Sequence, residues 1–384
     1  MGESNAAVEA LCRRLPKTEL HLHLDGSIAM KYILDRVHKK EVTLVEGGDT
    51  AADVVRHLLA LKEQAKSGAR PGAAKNWGVF DWMNCMLQNS DALETVTCLL
   101  VEELHEHNVR YAEIRFCPSL HTEAGLSTRD AIDAVAAGFA RGSASTGISG
   151  GILLCALRSY DAAHSMEMAK LAEAYHPGPV LGFDVAGDER YPLELHREAI
   201  SYCVARGINV TVHAGERLAG QDGTLAPILS NLRLALELGV SRIGHGFAVS
   251  LDDEVFALYA ASVRSGSGLS CIEVCLGAVT PWLVPSGKFE DHPILRYIEN
   301  GIACSISCDN LRLAGADLDL GTTPTKELIN LKVGCGASWS QVRETLLQGI
   351  RSSFLHSEKE RLALLASFTA ELDSLLPSTA STNT

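Results

Sequence analysis

Polar and apolar residues alternate strictly from Glu19 to Asp25, which read Glu-Leu-His-Leu-His-Leu-Asp. A period of two is typical of a β-strand whose two faces meet different surroundings. His21 and His23 therefore lie on the same face of the predicted strand. Two imidazoles one pleat apart can bind a single divalent metal ion of the zinc type. Taken alone, the pattern fits a polar edge strand equally well.

Seven further strand-like runs follow, and each is separated from the next by a segment long enough for a helix. They are predicted at residues 110–117, 151–158, 180–186, 209–213, 241–247, 269–276 and 303–309. Regular alternation of strand and helix predicts an α/β fold with a parallel sheet, and eight units match a closed (β/α)₈ barrel of the TIM type. No Gly-x-Gly-x-x-Gly motif follows the first strand, which disfavours a dinucleotide-binding open sheet.

Residues 41–90 do not follow this repeat and are predicted to form a mostly helical insertion between the first two strands, broken at 68–72. Four of its apolar residues recur at helical spacing: Trp77, Phe80, Met83 and Leu87. This spacing is typical of core packing, but it also fits pocket or lid helices facing a substrate. We expect residues 1–376 to form one domain and the Ser- and Thr-rich tail 377–384 to be disordered.

Composition and charge narrow the choice of partner and location. A net charge of -13 over 384 residues disfavours a nucleic-acid polymer or an anionic membrane as partner. The sequence contains no run of 18 apolar residues, so no membrane-spanning helix is predicted. Residues 1–14 lack the apolar core of a secretory signal. Most of the eleven cysteines lie in apolar runs, as reduced core thiols do. We therefore expect a cytoplasmic protein that binds a small molecule and requires no protein partner.

The chemistry of a TIM-type barrel lies at the carboxyl ends of its strands. The predicted ends carry polar residues: His21, His23, Asp25, Arg115, Asp184, His213, Glu216, His245, Glu273 and Asp309. Three nitrogens, from His21, His23 and His213, and one carboxylate, from Asp309, would leave an open position for water, as catalytic zinc sites do. Water bound in this way loses its proton near pH ~7 and becomes a nucleophile.

Two further strand-end residues could move protons. His245 is placed to orient the attacking water or to take its proton, and Glu216 could protonate a ring nitrogen of a substrate. Each residue alone has a simpler explanation, because His245 could be a core histidine, Glu216 a solvated acid and Asp309 a turn cap. Their joint placement at the ends of the first, fifth, sixth and eighth strands favours a site.

Five short motifs occur in order along the chain. They are His-Leu-His-Leu-Asp-Gly-Ser at 21–27, Gly-Phe-Asp-Val-Ala-Gly-Asp-Glu at 182–189, His-Ala-Gly-Glu at 213–216, Arg-Ile-Gly-His-Gly at 242–246 and Ser-Cys-Asp-Asn at 307–310. Together they resemble the signatures of adenosine deaminases, a family of the metal-dependent amidohydrolase superfamily. The resemblance extends from about residue 16 to residue 354. It implies one zinc ion per chain and hydrolysis of adenosine or 2′-deoxyadenosine to the inosine nucleoside and ammonia.

The resemblance also implies a role for each matching residue. The metal ligands are His21, His23, His213 and Asp309, and the catalytic residues are Glu216, which protonates N1 of the purine, His245 beside the attacking water, and Asp309. The expected substrate contacts are the backbone N–H of Gly187 to N3, Asn310 to N7, Asp25 to the ribose, and further contacts from His23, Asp184, Phe80 and Met83.

Three departures from the family pattern leave the exact 6-aminopurine open. Asn310 stands where a second aspartate is commonest, although an amide can still donate to N7. The loop after the seventh strand lacks the usual polar pair, and the insertion at 41–90 matches poorly. The alternatives are adenine, a 5′-modified adenosine such as methylthioadenosine, and N6-methyl-AMP; Asp25 favours a nucleoside, because adenine-specific relatives tend to carry Glu there. A catalytically silent purine-binding protein is disfavoured by the intact ligands and acid.

Overall fold

Eight parallel strands form one sheet in which each strand pairs with its neighbour in sequence. The computed structural model describes residues 4–67, 78–265, 269, 271–313 and 321–376. The strands are β1 Lys17–His23, β2 Val109–Phe116, β3 Ser149–Leu157, β4 Val180–Ala186, β5 Asn209–Ala214, β6 Arg242–His245, β7 Cys271–Val274 and β8 Cys304–Ile306. Backbone hydrogen bonds between Asp309 and both His21 and His23, each 2.8 Å long, bring the last strand back to the first. The predicted (β/α)₈ barrel is confirmed.

Helices surround the sheet and fill most connections between strands. They are α1 Asn5–Arg14, α2 Met30–His38, α3 Ala51–Ser67, α4 Gly78–Asn84, α5 Ser90–Glu106, α6 Thr128–Thr146, α7 Ala162–Tyr175, α8 Arg197–Val204, α9 Ala226–Glu237, α10 Asp253–Ser265, α11 Leu276–Leu283, α12 Ile294–Glu299, α13 Pro324–Ile329, α14 Trp339–Arg351 and α15 Glu358–Leu375. Within the described segments, no helix combines the length and hydropathy that crossing a membrane requires.

The connection between β1 and β2 holds α2 to α5, of which α3 and α4 fall in the predicted insertion. The break predicted at 68–72, Trp77 and the tail 377–384 lie outside the described residues. The helix α5 packs closely on α6 because Gly138 and Gly142 face it. A Cβ atom at Gly138 would lie 2.4 Å from the carbonyl oxygen of Glu94, and one at Gly142 would lie 2.6 Å from Cβ of Val101.

The last three strands are shorter than the sequence predicts. β6 ends at His245 and β8 ends at Ile306, whereas the apolar pattern continues to 247 and 309. His245 and Asp309 both have φ +66°, a left-handed conformation that a strand cannot continue through. These two bends turn the backbone at the carboxyl end of the barrel, where both residues line a cavity.

Candidate metal and catalytic centre

Four predicted ligands from three parts of the barrel meet at its carboxyl end. Nε2 of His23 lies 3.0 Å from Nε2 of His213, and 3.5 Å from Oδ1 of Asp309. The distance from Nε2 of His21 to the same Asp309 oxygen is 3.6 Å. Nitrogens and oxygens at these separations surround a space that one metal ion could share. The structure thus brings together residues almost 290 positions apart in sequence, His21 and Asp309.

Carboxylates behind two of these histidines fix which ring nitrogen carries the proton. Nδ1 of His21 donates to Glu273 at 2.8 Å, and Nδ1 of His213 donates to Asp184 at 3.2 Å. The Nε2 atoms of both rings therefore present lone pairs to the centre, which is the state that binds a metal. Burial lowers the pKa of His21 and of His23 well below its ordinary value and so favours the same neutral state.

The three histidine nitrogens and the Asp309 carboxylate are better satisfied by binding a cation than by contacting one another. In the described part of the chain, the buried Nε2 of His21 has no hydrogen-bond partner. The two Nε2 atoms of His23 and His213 approach to 3.0 Å, so both rings can direct a lone pair at one shared ion. Buried polar atoms normally have partners, and buried carboxylates are paired or bind metals. Three imidazoles and one carboxylate match the ligands of a catalytic zinc site.

His245 and Glu216 lie beside the four ligands. The ring centroid of His245 is 4.6 Å from that of His21, and its Nε2 atom is 3.9 Å from Oε1 of Glu216. Neither ring nitrogen of His245 has a hydrogen-bond partner among the described residues. The Glu216 side chain is 33% exposed, so a molecule in the cavity can reach it. Two side chains that can exchange protons thus face the same space as the four predicted ligands.

The backbone around the centre is held in unusual conformations. A residue other than glycine with positive φ costs about 1–3 kcal/mol and persists only where the surroundings impose it. At Asp309 the two hydrogen bonds to β1 impose it, and next to His245 the N–H of Gly246 donates to Ala214 at 3.0 Å. Gly244 leaves room for the His21 ring, because a Cβ atom there would lie 2.7 Å from Cε1 of that ring.

The centre forms one wall of a cavity of about 560 Å³, which is within the usual size of a small-molecule site. Five of the seven predicted substrate-binding residues line it: His23, Asp25, Phe80, Gly187 and Asn310. Burial raises the pKa of Asp25 to about 6. The lining also contains residues that no sequence motif indicated: Asn84, Gln88, Leu120, Glu123, Tyr160 and Tyr191. They come from helix ends and loops, where neither period nor motif distinguishes a cavity residue from a surface one.

Two predicted substrate contacts are corrected. Asp184 is completely buried and does not line the cavity, because its carboxylate is engaged by His213 and by Nη1 of Arg115, 3.0 Å away. Met83 is also completely buried and packs in the hydrophobic core. Asp184 therefore acts on the centre through His213, while Met83 packs α4 against the hydrophobic core.

The cavity is strongly acidic. Besides Glu216 and Asp309, four carboxylate side chains line it: Asp25, Asp81, Glu123 and Asp188. Within the described segments, no lysine or arginine lines it. Asp188 is paired with Arg217, whose Nε atom lies 3.1 Å away, whereas the carboxylates of Asp25 and Glu123 add negative charge that repels a bound anion.

Comparisons with known proteins give a consistent picture. The profile of the adenosine deaminase family matches residues 16–370. An adenosine deaminase from Clostridium acetobutylicum is 27% identical over 349 residues, which are 90% of this chain and 94% of that protein.

Three solved structures share the architecture. An amidohydrolase from Burkholderia ambifaria with bound zinc has a TM-score of 0.78 and 21% identity, and the match covers 98% of this chain and 95% of that one. An adenine deaminase from Arthrobacter aurescens has a TM-score of 0.75 and 21% identity, with 94% of this chain and 99% of that one covered. An N6-mAMP deaminase from Arabidopsis has a TM-score of 0.72 and 20% identity, with the same coverage of 94% and 99%. At these identities the likeness shows a common fold alone.

Proposed function

The chain belongs to the adenosine deaminase family and is a hydrolase acting on carbon–nitrogen bonds, and from this premise we propose that its substrates are adenosine and 2′-deoxyadenosine. The products are inosine or 2′-deoxyinosine and ammonia. The observation that carries the proposal is the meeting of His21, His23, His213 and Asp309 at separations that one metal ion could share. Glu216 and His245 lie beside them, and a cavity reaches all of these residues except the buried His21.

The proposed chemistry divides the work among these side chains. One zinc ion held by His21, His23, His213 and Asp309 would activate water for attack near neutral pH. Glu216 donates a proton to N1 of the purine, which makes C6 more electrophilic. His245 orients the attacking water and takes its proton. General acid–base steps of this kind contribute about 10²–10⁴-fold each.

The remaining proposed contacts orient the nucleoside. The backbone N–H of Gly187 donates to N3, the amide of Asn310 donates to N7, and Asp25 accepts from the ribose hydroxyls. His23 lines the reacting end of the cavity and Phe80 supplies an apolar surface. Each good hydrogen bond that is formed only with the correct substrate discriminates against analogues that lack the group.

The charge of the cavity supports a substrate without phosphate. A 5′-phosphate would bring two negative charges near the carboxylates of Asp25 and Glu123, and no cationic side chain of the described residues lines the cavity. N6-methyl-AMP is therefore disfavoured. Adenine would leave the ribose contact of Asp25 unused, whereas a neutral 5′ group such as methylthio stays compatible with the charge.

We also infer that the protein acts in the cytoplasm on a free small molecule and without an obligatory protein partner. All eleven cysteines are free thiols, which is typical of a reducing compartment. The net charge of -13 disfavours nucleic-acid polymers and anionic membranes as partners.

The test is a substrate panel with purified protein of known zinc content. Ammonia release is measured from adenosine, 2′-deoxyadenosine, adenine and methylthioadenosine, and methylamine release from N6-methyl-AMP. We expect the highest kcat/KM for the two nucleosides and the lowest for the nucleotide. Glu216→Gln should keep zinc and lose about 10²–10⁴-fold in kcat. Preference for the nucleotide, or full activity of Glu216→Gln, would contradict the proposal.

A further inference from the structure

A buried carboxylate that the proposed chemistry does not use is bonded to the loop that carries Glu216. Glu189 follows β4, and it is only 1% exposed. Its carboxylate accepts hydrogen bonds from three successive backbone N–H groups, those of Gly215 at 2.7 Å, Glu216 at 2.8 Å and Arg217 at 3.1 Å. Successive N–H groups pointing to one side form an anion-binding concavity, and here a side chain of the same protein fills it.

Further hydrogen bonds hold both the Glu189 carboxylate and the loop that it contacts. Nδ2 of Asn231 lies 3.4 Å from Oε1 of Glu189, which holds the carboxylate from behind. On the loop side, the carbonyl oxygen of Gly215 accepts from the N–H of Ala248 at 2.9 Å. Gly215 has φ +74°, which allows the chain to turn its N–H groups toward Glu189. The loop is therefore bonded on both faces, and Glu189 supplies three of the bonds.

The Glu216 side chain itself has little that would hold it in place. Among the described residues its ion-pair partner is His245, 3.9 Å away and beyond hydrogen-bond distance. The position of its carboxylate is consequently set by where its backbone lies. A displacement of 1 Å in a reacting group can cost about 10²-fold in rate.

We propose that Glu189 is a positioning residue for Glu216, the group to which the proposed function assigns protonation of the purine. The inference rests on that function for its catalytic consequence. Charge-assisted bonds from three backbone N–H groups hold the loop so that the Glu216 carboxylate points into the cavity. Glu189 touches no substrate, because it does not line the cavity.

The first test is independent of any substrate and measures amide hydrogen exchange of the zinc-loaded protein. Glu189→Gln places an NH₂ group against backbone donors, so exchange at residues 215–217 should rise at least about tenfold. Glu327→Gln is the matched control, because the buried Glu327 carboxylate accepts from the N–H of Gly277 at 3.1 Å on another loop. It should leave exchange at 215–217 unchanged. Unchanged exchange in Glu189→Gln would overturn the proposal.

The second test is a double-mutant cycle on kcat with adenosine, or with whichever panel substrate is turned over. We expect Glu189→Gln to lower kcat about 10–100-fold, with KM changed less than about threefold and zinc content unchanged. In the Glu216→Gln background the same substitution should add no further loss, because the group that it positions is gone.

Equal losses in both backgrounds would show that Glu189 acts on general stability and would overturn the proposal. If Glu189→Gln does not fold, Glu189→Asp keeps the charge, withdraws the oxygens from the loop and should show the same non-additivity. Failure of the wild type on every substrate of the panel contradicts the proposed function instead, and the exchange experiment still decides the role of Glu189.

Discussion

At the scale of single residues, Gly26 lies directly against Asn310, which lines the cavity, and leaves no room there for a larger residue. A Cβ atom at position 26 would lie 1.6 Å from Oδ1 and 2.8 Å from Cβ of Asn310. The overlap reaches the base of the Asn310 side chain, so a rotation of its amide alone would not relieve it. Asn310 is proposed to donate to N7 of the purine, so its displacement should weaken substrate binding.

We predict that Gly26→Ala raises KM for adenosine about five- to twelvefold, which corresponds to the loss of one hydrogen bond of about 1–1.5 kcal/mol. Steady-state kinetics measures this, with zinc content as a check that the ligands are intact. Gly78→Ala is the control, since nothing lies within 4 Å of a Cβ atom there. An unchanged KM in Gly26→Ala would argue that Asn310 does not contact the substrate.

The convergence of His21, His23, His213 and Asp309 was predictable from sequence, because the ends of parallel barrel strands meet whatever their separation along the chain. Asp184 has the same strand-end pattern, yet it lies deeper. It pairs in register with Thr211, two residues before His213, and β4 continues to Ala186. Depth within a barrel depends on strand register, which the sequence does not state. The Glu189 interaction joins a side chain to backbone N–H groups and leaves no periodic signal at all.

At the scale of elements, a buried carboxyl group links two helices at the rim. Glu327 of α13 accepts from the N–H of Gly277 near the start of α11 and from the hydroxyl of Thr322. Burial raises the pKa of Glu327 from its ordinary value to about 7. The folded state therefore holds a proton between pH 4.5 and 7 that the unfolded state releases, and stability must fall as the pH rises through this window.

Glu327→Gln should remove this dependence. Between pH 5 and pH 8 the wild type should lose about 2 kcal/mol of unfolding free energy relative to the variant, at about 1.4 kcal/mol per pH unit within the window. Urea unfolding of both proteins at the two pH values measures the difference. Parallel changes in the two proteins would show that the carboxyl group is not protonated in the folded state at pH 5.

The elements also show where the apolar pattern misleads. Residues 303–309 read as one continuous strand, but β8 ends at Ile306. The positive φ of Asp309 is imposed by hydrogen bonds to β1, a partner almost 290 residues earlier. Long-range contacts of this kind override the local preference for a strand. The bounds of a helix with clear caps are set locally instead: α6 begins after the N-cap Ser127 and ends before Gly147, which has a left-handed conformation.

At the scale of the whole molecule, charged side chains join the centre to the barrel interior. Arg115 bridges Asp184 and Glu273, the two carboxylates that hold His213 and His21. Arg242 bridges Glu273 to Glu113 further along the axis. Burial would raise the pKa of Glu273, but Arg115 and Arg242 lower it to about 2, so it stays ionised. Three carboxylates against two guanidinium groups leave one negative charge beneath the centre, which complements a divalent cation.

The proposed cation also ties together β1, β5 and the segment after β8, so its removal should affect the stability of the entire barrel. A ligand present at 1,000 times its Kd stabilises the folded state by about 4 kcal/mol, and we expect chelation to lower Tm by several degrees. Calorimetry with excess zinc and with a chelator measures this. His21→Ala should lose the zinc-dependent shift, whereas Glu216→Gln should keep it, because Glu216 is assigned no metal contact. A Tm that is identical with zinc and with chelator would mean that the three imidazoles and Asp309 meet for a purpose other than holding a metal.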